Sequence, residues 1–248
     1  VNSETDEPQK TPITFGLRNN QLVTVRYADP KPFRLFERLV TRPTNNPYTS
    51  GEKVMLGLLE AIIDRLAQLL ETTGDEIDQV SREVFRNKTT NVTRKARDLQ
   101  EIIERIGKKG DALTLARESL VSITRLSSFH QTSENGNAKA ARELRQELKV
   151  LQRDAAALSD HAAFLSSKIS FLLDATLGLI NLEQNQIIKI FSVAAVVFLP
   201  PTLVASVYGM NFDLMPELHF PLGYPLALVL MVISAVLPYL FFKRKGWL

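Results

Sequence analysis

Tyr208-Gly209-Met210-Asn211-Phe212 stands between two long apolar runs, Ile190 to Tyr208 and Tyr224 to Phe242. Neither run holds a charged residue. Each is about the length a helix needs to cross a hydrocarbon layer ~30 Å thick. The loop between them is short and carries Asn211, Asp213, Glu217 and His219. Two spans with so little chain between them leave no room for an outer sensing domain. The residues on the first span and in the loop therefore carry the function.

Charge sets the orientation. The net charge is +3, and the cations nearest the apolar runs are Lys189 before the first and Lys243, Arg244 and Lys245 after the second. The loop from Gly209 to Gly223 has two acids and no Lys or Arg. Lys and Arg are enriched in short cytoplasmic flanks, which puts both termini in the cytoplasm and the loop outside. The weakly basic total gives no support for a nucleic-acid partner, and no DNA- or RNA-binding motif is present. The absence of cysteine excludes thiol chemistry, disulfides and Cys-based zinc sites. With no phosphate-binding Gly loop followed by Lys and no His-Glu-x-x-His, nothing points to an enzyme. His130, His161 and His219 are scattered as ordinary surface or interface histidines. No signal peptide is visible in the polar stretch from Asn2 to Thr11, and further chain is expected before Val1.

Outward from the spans, the fold class is mainly α. Residues 13–27 are expected to form a hairpin, with Ile13-Thr14-Phe15 and Leu22-Val23-Thr24-Val25 alternating about the turn residues Arg18-Asn19-Asn20. A hairpin alone is marginal, so these strands are expected to finish a larger sheet, the remnant of an N-terminal α/β domain over residues 1–49. A short helix follows from Phe33 to Thr41. Between Pro47 and Pro200 there is no proline, and apolar residues recur at i, i+3 and i+4. One helix is expected from Ser50, its N-cap, to about Asn87. A second runs from about Thr93 to Gln131, loosened at Gly107 and Gly110. Asp75 and Asp78 fall in a turn-rich patch near Gly74, as solvent-facing charge. The polar stretch Thr132 to Asn137 is a turn, so successive helices form antiparallel hairpins. A third helix starts near Ala138 and passes without a break into the first apolar run. About sixty to seventy residues make a rod of roughly 100 Å, part in the bilayer and part a stalk. The domains are thus the stalk layer at 50–186, the spans at 187–208 and 224–242, the loop at 209–223 and a basic tail at 243–248. A buried helix in a soluble domain is the competing assignment, which the uncharged run after Lys189 disfavours.

One face of the first span carries Asn185, Ile188, Ser192, Ala195, Leu199, Thr202 and Ser206, in steps of three or four. The opposite face, with Val193, Val196, Val197, Leu203 and Val204, suits lipid or the second span. Small and hydroxyl residues let membrane helices pack closely, and that accounts for the stripe without a pore. Alternatively several copies form a ring with the stripe on its axis, polar and apolar rings in series making a selective, dewetting-gated passage. Asn211 would then sit at the outer mouth. Mg²⁺ is reluctant to lose its waters, and a ring of amides can hold the hydrated ion. Asn211 also suits a helix C-terminal cap after Gly209, a compatible role. Asp213 and Glu217 either raise the local cation concentration or simply solvate the loop.

The Tyr208–Phe212 pentapeptide, followed by Met215-Pro216-Glu217-Leu218 and a second span ending Lys243-Arg244-Lys245-Gly246-Trp247-Leu248, resembles the CorA family of magnesium channels. Asn185 to Asn211, with Pro200 and Thr202 between, resembles that family's pore helix. The likeness implies a homopentamer in the plasma (bacterial inner) membrane, with a funnel-shaped cytoplasmic part, passing Mg²⁺ inward and also Co²⁺ and Ni²⁺. It makes Gly209, Met210 and Asn211 the selectivity filter. The inner rings map onto Thr202, Leu199, Ala195, Ser192, Ile188 and Asn185, with the apolar gate at Leu199 and around Ile188–Phe191. Lys243, Arg244 and Lys245 become a cationic collar. Regulatory Mg²⁺ between subunits would involve Asp154 and Asp160, which otherwise belong to a solvated helix face. The family's zinc branch is the nearest alternative, but it generally lacks Met-Pro-Glu-Leu, and Zn²⁺ prefers nitrogen and sulfur ligands that the stripe does not offer. A membrane-anchored coiled-coil scaffold, the remaining alternative, would have no need of Asn211.

Overall fold

The computed structural model describes residues 9–18, 20–41, 47–86, 92–133, 139–210 and 220–247. Two strands and five helices follow in order: β1 (Ile13–Arg18), β2 (Gln21–Arg26), α1 (Lys31–Val40), α2 (Gly51–Arg86), α3 (Val92–Ser133), α4 (Lys139–Tyr208) and α5 (Gly223–Arg244). The chain divides into two compact units, Val1–Thr176 and Leu177–Leu248.

In the first unit, β1 and β2 pair antiparallel, from Ile13 opposite Arg26 to Arg18 opposite Gln21. The alternation that predicts strands also gives the hairpin one apolar face. Ile13, Phe15 and Leu22 turn inward onto Phe33 and Phe36 of α1 and Leu58 of α2. Helix α1 starts at Lys31, two residues before the expected Phe33, with Pro32 in its first turn. A proline there forfeits only an N–H that has no helical partner.

Gly57 is fixed by this small core. A Cβ at residue 57 would lie 2.5 Å from Phe36 Cε2 and inside the edge of the Tyr48 ring, where the two aromatics meet edge to face at 4.8 Å. Helix propensity favours alanine over glycine by about 1 kcal/mol, whereas overpacking a core costs about 1–3 kcal/mol. Gly57→Ala is therefore expected to lower the melting temperature of the protein; an unchanged or higher value would mean that the aromatic pair gives way freely.

Helices α2 and α3 and the Lys139–Thr176 part of α4 form an up-down-up bundle. Its buried seams step alternately by three and four: Leu70, Thr73, Ile77, Val80 and Val84 on α2; Leu113, Ala116, Leu120, Ile123 and Ser127 on α3; Ala162, Leu165, Ile169, Leu172 and Thr176 on α4. That mean spacing of 3.5 is the repeat of left-handed coiled coils. Ion pairs fix the directions. Arg105 meets Glu83 at 2.5 Å and Lys109 meets Glu76 at 2.5 Å, so α3 runs against α2. Lys168 meets Asp78 and Phe171 stacks on Phe85 at 6.3 Å, so α4 runs with α2. The hydrogen bond from Lys168 holds the Asp78 carboxyl below the ordinary carboxylate range, and that from Arg105 does the same for Glu83. The antiparallel hairpins expected from the sequence are present. Residues 87–91 and 134–138, which hold most of the connections and of the expected turn, lie outside the described residues.

Ser50 caps α2 as its position suggests, accepting the Lys53 N–H at 3.2 Å. Two expectations need correction. Helix α3 is continuous through Gly107 and Gly110, because buried Ile106 and Leu113 and the Arg105 and Lys109 ion pairs clamp both sides. Gly74, Asp75 and Asp78 lie within unbroken α2, and Asp78 is paired with Lys168 rather than left to solvent alone.

The second unit holds the Leu177–Tyr208 part of α4 and all of α5. Both helices are long and apolar enough to cross a membrane. Helix α4 continues through Pro200 and Pro201 and stops only at Tyr208. Two prolines leave the Val196 and Val197 carbonyls without their usual helical donors, a loss tolerated in membrane helices where neighbours or water restore the bonds. The end of α4 tightens: Gly209 N–H donates to Ala205 O at 2.9 Å and Met210 N–H to Val207 O at 3.3 Å.

Candidate ion pathway

The pairing of α4 with α5 sorts the two faces of the Leu177–Tyr208 part of α4. On α4, Val193 is buried and Val197, Pro200, Pro201, Val204 and Tyr208 are half-buried. On α5, Ala227 is buried and Gly223, Met231, Ser234, Ala235, Pro238 and Phe242 are half-buried. Both sets recur in helical steps and mark the lines along which the spans meet. The seven stripe residues lie elsewhere. Asn185, Ile188, Ser192, Ala195, Leu199, Thr202 and Ser206 are all exposed, Leu199 by 67%. At about 100° per residue they fall within a ~100° arc centred about 160° away from the α5-facing line. Val193, Val197 and Val204 of the expected aliphatic face turn toward α5, while Val196 and Leu203 stay exposed. The Thr202 hydroxyl donates to Phe198 O at 2.7 Å, which returns one hydrogen bond to the helix beside the prolines.

Gly209 and Met210 sit at the end of α4, with Met210 48% exposed. Asn211, Asp213 and Glu217 lie outside the described residues.

At the other end of the hairpin, α5 closes with a Schellman turn. Gly246 N–H donates to Lys243 O at 3.2 Å and Trp247 N–H to Phe242 O at 3.1 Å. The turn needs the left-handed backbone of Gly246, φ +68°, which L side chains rarely adopt. The accompanying apolar contact is Trp247 on Phe242, ring centroids 5.3 Å apart. Lys243 and Arg244 occupy the last turn of α5, where cations favour the helix dipole. Lys245 Nζ lies 5.2 Å from the Phe241 ring centroid, and Lys189 Nζ lies 5.9 Å from that of Trp247. The start of the first span is thus beside the end of the second.

This order of strands and helices has counterparts among known proteins. The CorA-like Mg²⁺ transporter protein family matches residues 1–244. The chain belongs to the CorA family. Magnesium transport protein CorA of Pasteurella multocida is 37% identical over 245 residues, 99% of this chain and 74% of that protein. The Escherichia coli K12 protein of the same name is 37% identical over 246 residues, 98% and 73% of the two chains. Among solved structures, the complete CorA magnesium transporter of Methanocaldococcus jannaschii shares the fold with a TM-score of 0.76, at 22% identity over 94% of this chain and 71% of that one. The full-length CmaX protein gives 0.64 at 17% identity, over 96% and 68%. CorA-family chains are membrane-embedded transporters rather than enzymes, and the two apolar helices supply the embedding.

In this CorA-family chain the two expected regulatory acids do not share a face. Asp154 and Asp160 are six residues apart on α4, about 240° around the helix. The acids brought near one another are Glu60 and Asp64 of α2 with Glu147 and Asp154 of α4. Burial first, and then the charges of Asp64, Glu147 and Asp154, push the Glu60 carboxyl above its ordinary pKa. Sequence spacing could flag Glu60 and Asp64 as i, i+4 neighbours; the α4 partners are visible only once the helices pair. No group of three or more His, Asp or Glu side chains has metal-holding geometry among the described residues.

Because the folded pKa of Glu60 lies above the unfolded one, its contribution favours folding fully below the unfolded value and is lost as pH rises through the folded one. Glu60→Gln is expected to raise the melting temperature at pH 7 slightly, the like-charge pair with Asp64 alone costing about 0.2–0.5 kcal/mol. The difference should vanish below the usual glutamate range, about 4.3. Melting curves at the two pH values test this, and a variant less stable at pH 7 contradicts it.

Proposed function

We propose that this chain is one subunit of a homo-oligomeric channel, a pentamer, that admits Mg²⁺ down the membrane potential across the bacterial inner membrane. Both termini are cytoplasmic and the loop at 209–223 faces outward. Gly209, Met210 and Asn211 form the filter, and Asn211 amides hold the hydrated ion. Asp213 and Glu217 concentrate cations at the mouth. Asn185, Ser192, Ala195, Thr202 and Ser206 line the passage, while Leu199 and Ile188 close it by dewetting. Co²⁺ and Ni²⁺ share the route. Lys243, Arg244 and Lys245 make the basic collar. Regulatory Mg²⁺ at Asp154 and Asp160 belongs to the same reading.

The observation that carries the proposal is the free stripe. One hairpin cannot enclose a passage, and α5 packs on the far side of α4 from Asn185 through Ser206. Seven exposed side chains that mix amide, hydroxyl and apolar groups suit neither lipid nor α5. A shared axis among copies satisfies them. The magnesium-transport names of relatives about 37% identical favour Mg²⁺ as the ion.

Purified protein in liposomes loaded with ion-selective dyes is expected to admit Mg²⁺ when the interior is held negative. Zn²⁺ should enter far more slowly, since the stripe has no His or Cys. Entry of Zn²⁺ alone would replace this reading with zinc transport, and entry of neither ion would favour the scaffold.

A further inference from the structure

The corner where α4 and α5 meet carries, on its side away from the stripe, groups that ion passage does not use. A cavity of about 710 Å³ lies there, lined by Leu182, Asn185, Gln186, Ile188, Lys189, Ser192, Gly246 and Trp247. That volume is within the range of small-molecule sites, about 300–1,000 Å³. Asn185, Ile188 and Ser192, the first three residues of the stripe, form one side. Leu182, Gln186 and Lys189, in steps of four and three, form the other side, with Trp247 folded against it by the Schellman turn. No acidic residue lines the cavity. From Gln184 to Phe212 and from Phe220 to Leu248 the sequence has no Asp or Glu, whereas Lys189, Lys243, Arg244 and Lys245 give four positive charges. Beyond the cavity the helix surfaces are apolar: Ile190 and Phe191 on α4 and Leu237, Leu240 and Phe241 on α5 are exposed.

We infer that this corner binds the phosphodiester headgroup of an anionic phospholipid, held by Lys189, Gln186 and the basic tail and flanked by Trp247. Three features fix the ligand class. Lys189 is the one charged side chain lining the cavity, and with Lys243, Arg244 and Lys245 it outnumbers the neighbouring acid Glu183, an excess that calls for an anion. An amide and an ammonium beside an indole match a headgroup at the membrane boundary, where Trp and Lys concentrate. The apolar helix surfaces adjoining the site give acyl chains a place that a free anion would leave empty. Clusters of basic residues just cytoplasmic of a span attract anionic lipid, and here one of them is positioned by a defined turn. The inference rests on the proposed orientation with this end of the hairpin at the cytoplasmic boundary. It does not depend on the stripe being a pore.

Trp247 is the only tryptophan and reports on its own surroundings. The full chain is reconstituted in phosphatidylcholine vesicles that contain equal fractions of either brominated phosphatidylglycerol or brominated phosphatidylcholine. Indole quenching is expected to be severalfold stronger with the brominated phosphatidylglycerol. Lys189→Gln should weaken that preference about fivefold, the effect of one basic residue at an anionic surface. Gly246→Val, which forbids the turn, should remove it. Equal quenching by the two lipids, no quenching by either, a preference unchanged by Lys189→Gln, or one that survives Gly246→Val overturns the inference. So does a preference abolished by millimolar inorganic phosphate, which would assign the corner to a free anion. Mg²⁺ entry is followed in the same vesicles. Preference without Mg²⁺ entry refutes the channel and leaves the lipid site standing; Mg²⁺ entry without preference does the reverse.

Discussion

Asn211→Ala is expected to abolish Mg²⁺ entry while leaving assembly intact. Asn211 follows the end of α4 by three residues, and its amide carbonyl is a neutral acceptor for the waters of a hydrated ion. Each such hydrogen bond contributes roughly 0.5–1.5 kcal/mol, and every subunit loses one. Removing the amide from every subunit at once therefore predicts a fall in flux of about 100-fold or more. Alanine removes the acceptor without adding charge or bulk, so the particle mass in detergent should be unchanged. Flux assays in liposomes and sizing of the same preparation separate the outcomes. Wild-type flux from the variant would move the filter elsewhere, and a changed particle size would make Asn211 an assembly residue.

The second large effect is expected far from the membrane. Leu120 is fully buried at the middle of the α3 seam. Truncating such a leucine removes its transfer energy and leaves a cavity, together about 2–5 kcal/mol. A domain's whole stability is roughly 5–15 kcal/mol, so Leu120→Ala should lower the melting temperature sharply and reduce the yield of folded protein. Val121→Ala on the same helix is the control, because Val121 is 46% exposed and should cost little. Comparable melting for the two variants would mean that the heptad seam does not hold the bundle together.

Much of this was legible in the chain itself. The uncharged runs set the two spans because a hydrocarbon layer accepts few charges and requires a fixed helical length. Alternation and turn residues gave the hairpin of β1 and β2, and the Ser50 cap and the prolines bounded most helices within a few residues. Local rules also misjudged places where non-local packing prevails. Gly107 and Gly110 lower helix propensity, yet α3 is held on both sides by α2. No local rule pairs Glu60 with Glu147 and Asp154, which α4 brings toward it.

The sequence by itself determined that one stripe of the first span differs from the rest, because periodicity assigns residues to a face. It did not say what that face meets, since a stripe of small and hydroxyl residues serves helix packing as well as a passage. The tertiary structure decided which face of the first span α5 covers. Helix α5 packs along Val193, Val197 and Val204 and leaves Asn185 to Ser206 uncovered. The choice of partner is a property of two surfaces fitted together, and neither helix encodes it alone.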